Sequence, residues 1–296
     1  MTERNGCPVC VSRSLREVPF GYRFEGEWLQ ALRCRACGII FISPQPTAEQ
    51  LSSLYGRNYF DGDFRCGHEG TYFSEETLKE LVDRGLLERI RRAQPAGRFL
   101  EVGCAGGAFL DAARRAGYET AGIEFSADAA RFARDRFGLD VRTGTLEEAA
   151  YAPGSFDVVY AGDVIEHLPD PARTVREMCR VLKPGGTLVL ACPTQTNTIY
   201  SRLGFLVYGV MRKRAEVHLP PYHLFEYRPE SLRDLLQRSG FSSIRLEGSA
   251  IGPRAITLRG SATQRLAKRL LQYPNWLLTR MTGLAGDRLE VFAWKP

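Results

Sequence analysis

The segment Gly-Asp-Val-Ile-Glu-His-Leu-Pro-Asp-Pro (162–171) gathers Asp163, Glu166 and His167 within five residues, in a chain of 296 residues with four histidines. Two more histidines, His218 and His223, follow downstream. A histidine beside carboxylates supports two chemistries. Its imidazole titrates near neutrality and can take a proton from a substrate hydroxyl. Joined to carboxylate oxygens, it can instead hold a divalent ion that positions and acidifies such a hydroxyl. If Asp163 opens a helical turn, Glu166 and His167 fall three and four residues later on its face. His223 is expected to complete the cluster from a capping loop, with His218 as the alternate. A third role stays open, in which Glu166 and His167 merely brace a neighbouring loop.

A second constellation lies at the start of the chain. Cys7 and Cys10 form one Cys-x-x-Cys pair and Cys34 and Cys37 another, separated by 23 residues. Two such knuckles read as a tetrathiolate zinc ribbon, because each presents two thiolates to one tetrahedral ion. With four thiolates no coordination position stays open, so the ion would be structural. Four unrelated thiols, or a redox pair, are the competing readings. Cys66, Cys104, Cys179 and Cys192 are scattered and are expected as small buried apolar residues.

The third is Phe-Leu-Glu-Val-Gly-Cys-Ala-Gly-Gly-Ala (99–108), a strand running into a glycine-rich turn and a helix. Glycines at such a turn let a ligand approach backbone N–H groups. Glu124 closes the next strand, 21 residues after Gly103, where an acid can accept from both hydroxyls of a ribose. Together they point to an adenosine-containing cofactor.

These residues need a scaffold, and from Arg98 onward short β-rich runs alternate with helical stretches. That alternation implies βαβ units and a parallel sheet covered on both faces. Residues 1–45 are expected to form the zinc ribbon and 46–97 a helical linker or lid. The cofactor domain then spans 98–296, with cap insertions at about 196–228 and 249–286.

Between a dinucleotide and S-adenosylmethionine, the turn decides. It reads Glu-Val-Gly-Cys-Ala-Gly-Gly (101–107) rather than Gly-x-Gly-x-x-Gly, and it resembles the (E/D)xGxGxG motif of class I S-adenosylmethionine-dependent methyltransferases. Ala105 replaces the middle glycine. The resemblance continues through Gly122–Ser126, Phe156–Pro171, Val181–Pro193 and His223–Phe241, covering roughly residues 98–247. It implies an α/β, Rossmann-like sheet, parallel with an antiparallel last strand at its edge. Glu101, Gly103, Cys104, Ala105 and Gly107 would line the methionine and ribose, and Glu124 would bind the ribose hydroxyls. Phe125 would lie against the adenine, with packing in the core as the alternative. Thr145 and Leu146 would reach the adenine edge, with Thr145 in place of the usual acid, and Ala161 would complete the set. The acid cluster resembles the metal site of ubiquinone-pathway O-methyltransferases and small-RNA 2′-O-methyltransferases, where a divalent ion chelates vicinal hydroxyls. Asp163 is shorter than the glutamate common there. A zinc ribbon before such a domain is similar to bacterial methyltransferases of sugar, polysaccharide and natural-product pathways.

Composition agrees with an ordinary enzyme: 44% hydrophobic, 25% charged, net charge +6 and mean hydropathy −0.23. No apolar run is long enough to span a bilayer and the N-terminus lacks a signal-peptide core, so a cytoplasmic location is expected. Two segments, 199–214 and 265–281, carry apolar residues with Lys and Arg. They are expected to bury their apolar faces over the substrate pocket. The alternative is a helix lying in a membrane interface, which would imply a lipid-linked acceptor. The leading reading is therefore methyl transfer to a hydroxyl of a saccharide or secondary metabolite. C- or N-methylation of a nucleotide-linked sugar is the second. A non-catalytic subunit that binds protein or nucleic acid through the ribbon is the third. Arg4, Arg13, Arg16, Arg33 and Arg35 form no dense basic patch in sequence, which disfavours nucleic acid. Oligomeric state is not legible.

Overall fold

The computed structural model describes residues 6–54, 60, 72–218, 220–250, 262–282 and 286–296. The chain begins with three strands, β1 (Leu15–Phe24), β2 (Glu27–Cys34) and β3 (Ile40–Ser43). Their alternation buries Val18, Phe20, Leu29 and Ala31. Helix α1 (Ala48–Leu54) follows, with the amide of Gln50 donating to the side chain of Thr47. The linker continues with two helices, α2 (Glu75–Glu80) and α3 (Arg84–Ala93). The break falls at Asp83, whose carboxylate accepts from the amide of Leu86 and starts a new helix.

The alternating elements are β4 (Arg98–Val102), α4 (Ala108–Arg115), β5 (Glu119–Glu124), α5 (Ala127–Phe137), β6 (Val141–Thr143), α6 (Leu146–Ala149), β7 (Phe156–Gly162), α7 (Pro171–Val181) and β8 (Leu182–Pro193). The cap follows with α8 (Ile199–Val210), β9 (Ala215–Val217) and β10 (Phe225–Glu226). The chain ends with α9 (Pro229–Arg238), β11 (Ser243–Ser249), α10 (Ala262–Thr282) and β12 (Arg288–Trp294). One sheet has the order β11-β12-β8-β7-β4-β5-β6. Strands β4 to β8 are parallel, as expected, and β12 is antiparallel to both β8 and β11. The last strand is therefore not an edge strand: it is inserted between β8 and β11. Burial on both sides explains why Leu289, Val291 and Ala293 are inaccessible to solvent.

The N-terminal strands are extended by two from the cap, because β9 pairs with β1 and β10 with β3 in a sheet of order β10-β3-β2-β1-β9. Cap and cysteine-bearing strands are thus hydrogen-bonded together. One further expectation needs correction: α8 and α10 do not bury their apolar faces. Leu206 and Val210 on α8, and Leu270 and Leu277 on α10, are more than half exposed, while Gln272, Asn275 and Thr279 of α10 are buried. The reason is polar: Asn275 accepts from the amide of Ile199 at 3.2 Å and so turns its face of α10 towards α8. Cys104, Cys179 and Cys192 are buried as expected; Cys66 lies outside the described residues.

Candidate active site

In the large sheet the strand order reverses between β4 and β7, and ligands of open α/β sheets bind beyond the carboxyl ends at such a point. A cavity of about 750 Å³ opens there. Its walls include Glu101, Gly103, Cys104 and Ala105 from the β4–α4 turn, Glu124 and Phe125 from the end of β5, and Thr145 and Leu146 from the start of α6. The segment after β7 adds Asp163 and His167.

Local backbone makes that turn. Gly103 has φ +72°, and a Cβ there would sit 2.4 Å from Cγ2 of Val164. Ala105 also adopts the left-handed region, at φ 47°, which a glycine would reach with less strain. Its amide donates to Oε2 of Glu124 at 2.7 Å, and the amide of Ser126 donates to Oε1 at 2.8 Å. Glu124 is thereby held with an acceptor lone pair left on each oxygen. Burial raises its carboxyl above the usual range, and the three backbone donors beside it oppose this. Glu101 is buried deeper, and Oε2 makes no hydrogen bond. Burial, then the Glu124 charge, raise its carboxyl well above the ordinary value.

Not every residue of the expected cofactor set reaches the cavity. Gly107 is absent from the wall: a Cβ there would meet Cδ1 of Leu139 at 2.7 Å and Ala133 at 2.9 Å, so this glycine serves helix packing. Ala161 is wholly buried within β7. Thr145 lines the cavity, but its hydroxyl accepts from the amide of Glu148 in a capping box that starts α6. Phe125 is 47% exposed at the wall, not packed in a core.

The acid and histidine cluster assembles without Asp163. That residue does not open a helix. It has φ 53°, and both its carboxylate oxygens are taken by the guanidinium of Arg288 at 2.8 and 2.9 Å. Ligating atoms of Glu166, His167 and His223 instead lie within 4.8 Å of one another. The two imidazoles meet edge to face at 5.0 Å. His167 Nδ1 donates to the carbonyl of Tyr222 at 2.7 Å, so the neutral ring carries its lone pair on Nε2, 3.7 Å from Oε1 of Glu166. Glu166 is 1% exposed, and neither carboxylate oxygen has a hydrogen-bond partner. Burial, then the charge of Asp163, push its carboxyl up to about 8. Burial and the neighbouring His223 push His167 down to about 3. Burial also opposes the charging of His223, yet Glu226, Glu166 and Asp163 together raise its pKa. His218, the alternate, lies on the surface with 84% of its side chain exposed.

Sequence reading missed Arg288, and Tyr72, Leu81 and Leu86 of the segment before β4, which also line the cavity. Arg288 stands 125 residues from Asp163, and no local pattern marks such a pair. Aromatic and leucine residues before Arg98 were a visible signal, though one that core packing explains equally.

The four cysteines also converge. Sγ of Cys7 lies 3.5 Å from that of Cys37, and Sγ of Cys10 lies 3.5 Å from that of Cys34; all four fall within 4.8 Å. A tetrahedral ion with Zn–S bonds of about 2.3 Å sets its sulfurs about 3.8 Å apart, so the donor set fits. The amide of Val9 donates to Sγ of Cys7, which suits a thiolate.

Comparison with known proteins agrees with this geometry. A ubiquinone biosynthesis O-methyltransferase of Xanthomonas campestris is 36% identical over 117 residues, 38% of this chain and 49% of that protein. The chain thus spans about half the length of this and several other curated relatives it matches. The enzyme of the same name from Ralstonia nicotianae is 30% identical over 167 residues, 53% of this chain and 67% of that protein. A methyltransferase structure from Archaeoglobus fulgidus superposes with TM-score 0.50 at 21% identity, covering 71% of this chain and 93% of the other. Phosphoethanolamine N-methyltransferase 2 of Haemonchus contortus, solved with S-adenosyl-L-methionine, gives TM-score 0.50 at 17% identity, covering 91% and 63%. At these identities the two structures speak for the fold alone. The model of the methyltransferase domain family matches residues 72–246, more than half of the sequence, and the chain belongs to that family.

Proposed function

We propose that the protein transfers the methyl group of S-adenosylmethionine to a hydroxyl of a saccharide or other secondary metabolite. The observation that carries the oxygen-acceptor reading is Glu166, a fully buried carboxyl group with no hydrogen-bond partner on either oxygen, beside two imidazoles. Names of the related O-methyltransferases support it. Glu124, with one backbone donor on each oxygen, is suited to accept from the two ribose hydroxyls. Glu101 adds a buried carboxyl whose free oxygen lies in the same wall.

In the reaction the sulfonium S–CH₃ bond breaks, an O–CH₃ bond forms, and the acceptor hydroxyl loses its proton. Glu166, His167 and His223 fit a divalent cation, because a buried acid without a hydrogen-bond donor is costly unless a positive charge meets it. When bound, such an ion would polarise the acceptor oxygen and lower its pKa. The chain itself also supplies a proton acceptor. Tyr222 orients His167 so that Nε2 carries the lone pair, and His167 is the member of the cluster that lines the cavity. Arg288 holds Asp163, fixing the start of the segment that carries Glu166 and His167.

Zinc at Cys7, Cys10, Cys34 and Cys37 is the structural part of this reading. A lipid-carried acceptor is a second reading, favoured by the outward leucines of α8 and α10. Mild chelation that abolishes methyl transfer, restored by Mg²⁺ or Mn²⁺ with zinc retained, would support a cation. Indifference to chelation with a large loss in His167→Ala assigns a plain base. Full activity in both His167→Ala and His223→Ala would refute any chemical role for the cluster.

A further inference from the structure

Away from the cavity, four arginines converge where the N-terminal sheet meets the cap. Arg16 on β1 and Arg33 on β2 are direct Cα partners, a placement in which like charges repel. Side chains alternate along a strand, so Arg33 shares the face of the buried Leu29 and Ala31. Helix α8 lies against β1, with Phe205 stacked on Phe20 at 5.4 Å. Arg202 on that helix donates to Oδ1 of Asn197 at 2.6 Å. Arg228, immediately before α9, donates through Nη2 to the carbonyl of Thr196 at 3.2 Å. Residues 196 and 197 therefore tie two of the guanidiniums to one short turn.

Carboxylates compensate these charges only weakly. Among the described residues none of the four arginines forms an ion pair with a carboxylate. Among the described residues the acid whose field opposes theirs on Arg33 and Arg228 is Glu230, at the start of α9. Burial first, then repulsion from Arg33 and Arg202, push Arg228 down to about 10. Two polar atoms beside these groups are also unsatisfied. Nε of Arg228 is buried without an acceptor, and the hydroxyl of Thr196, a residue only 5% exposed, has no hydrogen-bond partner. Orphan buried donors of this kind call for a ligand that accepts.

We propose that this arginine cluster binds a phosphoryl or pyrophosphoryl group, with Arg16, Arg33, Arg202 and Arg228 as cationic donors and the Thr196 hydroxyl as a neutral one. A carboxylate would neutralise one charge of four and leave the rest opposed. A pyrophosphate carries several negative charges, and its oxygens match the forked donors of guanidinium. The group can come from the head of a phosphate-bearing lipid or from a soluble nucleotide. This site stands apart from the methyl-transfer reading, and its test does not use that reaction.

The test is calorimetry of the full chain with inorganic pyrophosphate, with thermal melting as the check on folding. Saturable binding is expected, weakened roughly tenfold or more in Arg33→Gln and in Arg16→Gln, since each loses one charge-assisted contact. Arg16 is exposed, so its variant reads the site even if Arg33→Gln fails to fold. Vesicles containing phosphatidate, recruited by the wild type and not by Arg16→Gln, would assign a lipid source. Displacement of pyrophosphate by a nucleoside diphosphate, with no vesicle recruitment, would assign a soluble one. No pyrophosphate binding, or equal affinity in wild type, Arg16→Gln and Arg33→Gln, overturns the proposal.

Discussion

Replacing Gly103 with alanine tests how the cofactor turn and the acid–histidine segment are joined. At φ +72° the new residue must hold a left-handed backbone, and its Cβ would sit 2.4 Å from Cγ2 of Val164. The backbone term costs roughly 1–2 kcal/mol and forcing a methyl into an occupied space roughly 1–3 kcal/mol. A stiffer unfolded chain offsets about 0.4–1 kcal/mol of this. The net loss is then roughly 1–4.5 kcal/mol, which in a chain of this size lowers the melting temperature by about 2–18 °C. The two terms separate in a double-mutant cycle. Val164→Ala removes the struck methyl but leaves the backbone strain, so Gly103→Ala in that background should lose roughly 1–3 kcal/mol less than in the wild type. Val164 also accepts from the amide of His167 at 2.9 Å, so Gly103→Ala should slow methyl transfer as well as lower stability. Thermal or urea unfolding of the four proteins supplies the cycle. Strict additivity would show that Val164 yields freely and that the turn and the segment are not in rigid contact.

Glu124→Gln should weaken S-adenosylhomocysteine binding at least tenfold by calorimetry, because one charged acceptor for the ribose is replaced by an amide; unchanged affinity would remove Glu124 from the cofactor site. Metal analysis should return about one zinc per chain. Cys34→Ser should destabilise the β1–β3 region and, through the shared sheet, raise hydrogen exchange in β9 and β10; a zinc-free, fully folded wild type would overturn that assignment. Arg288→Met should release Asp163 and cut the methyl-transfer rate while costing stability only about 1 kcal/mol, since both partners are part-exposed. An unaltered rate would show that the clamp is structural.

Much of the fold was legible because it rests on short-range rules. The alternation of β-rich and helical runs after Arg98 and the spacing from Gly103 to Glu124 are both local in the chain. The glycine turn could be read for the same reason: a positive φ at Gly103 is a local backbone demand that favours glycine. Paired cysteines were readable too, since tetrahedral geometry restricts how knuckles can be spaced.

What sequence could not supply were partners brought together by distant pairing. Asp163 looked like the first member of the cluster, and the spacing to Glu166 favoured it. Insertion of β12 beside β8 delivers Arg288 to its carboxylate instead, and a left-handed backbone at Asp163 prevents the expected helical turn. Periodicity on α10 suggested an apolar face turned inward, yet Asn275 hydrogen-bonds the backbone at Ile199 and the leucines face out. The four arginines come from β1, β2, α8 and the residue before α9, scattered over more than two hundred positions, so no basic patch was visible in the sequence. Sheet pairing of the cap with the N-terminal strands brings them together, because backbone hydrogen bonds between strands depend on register and not on nearness along the chain.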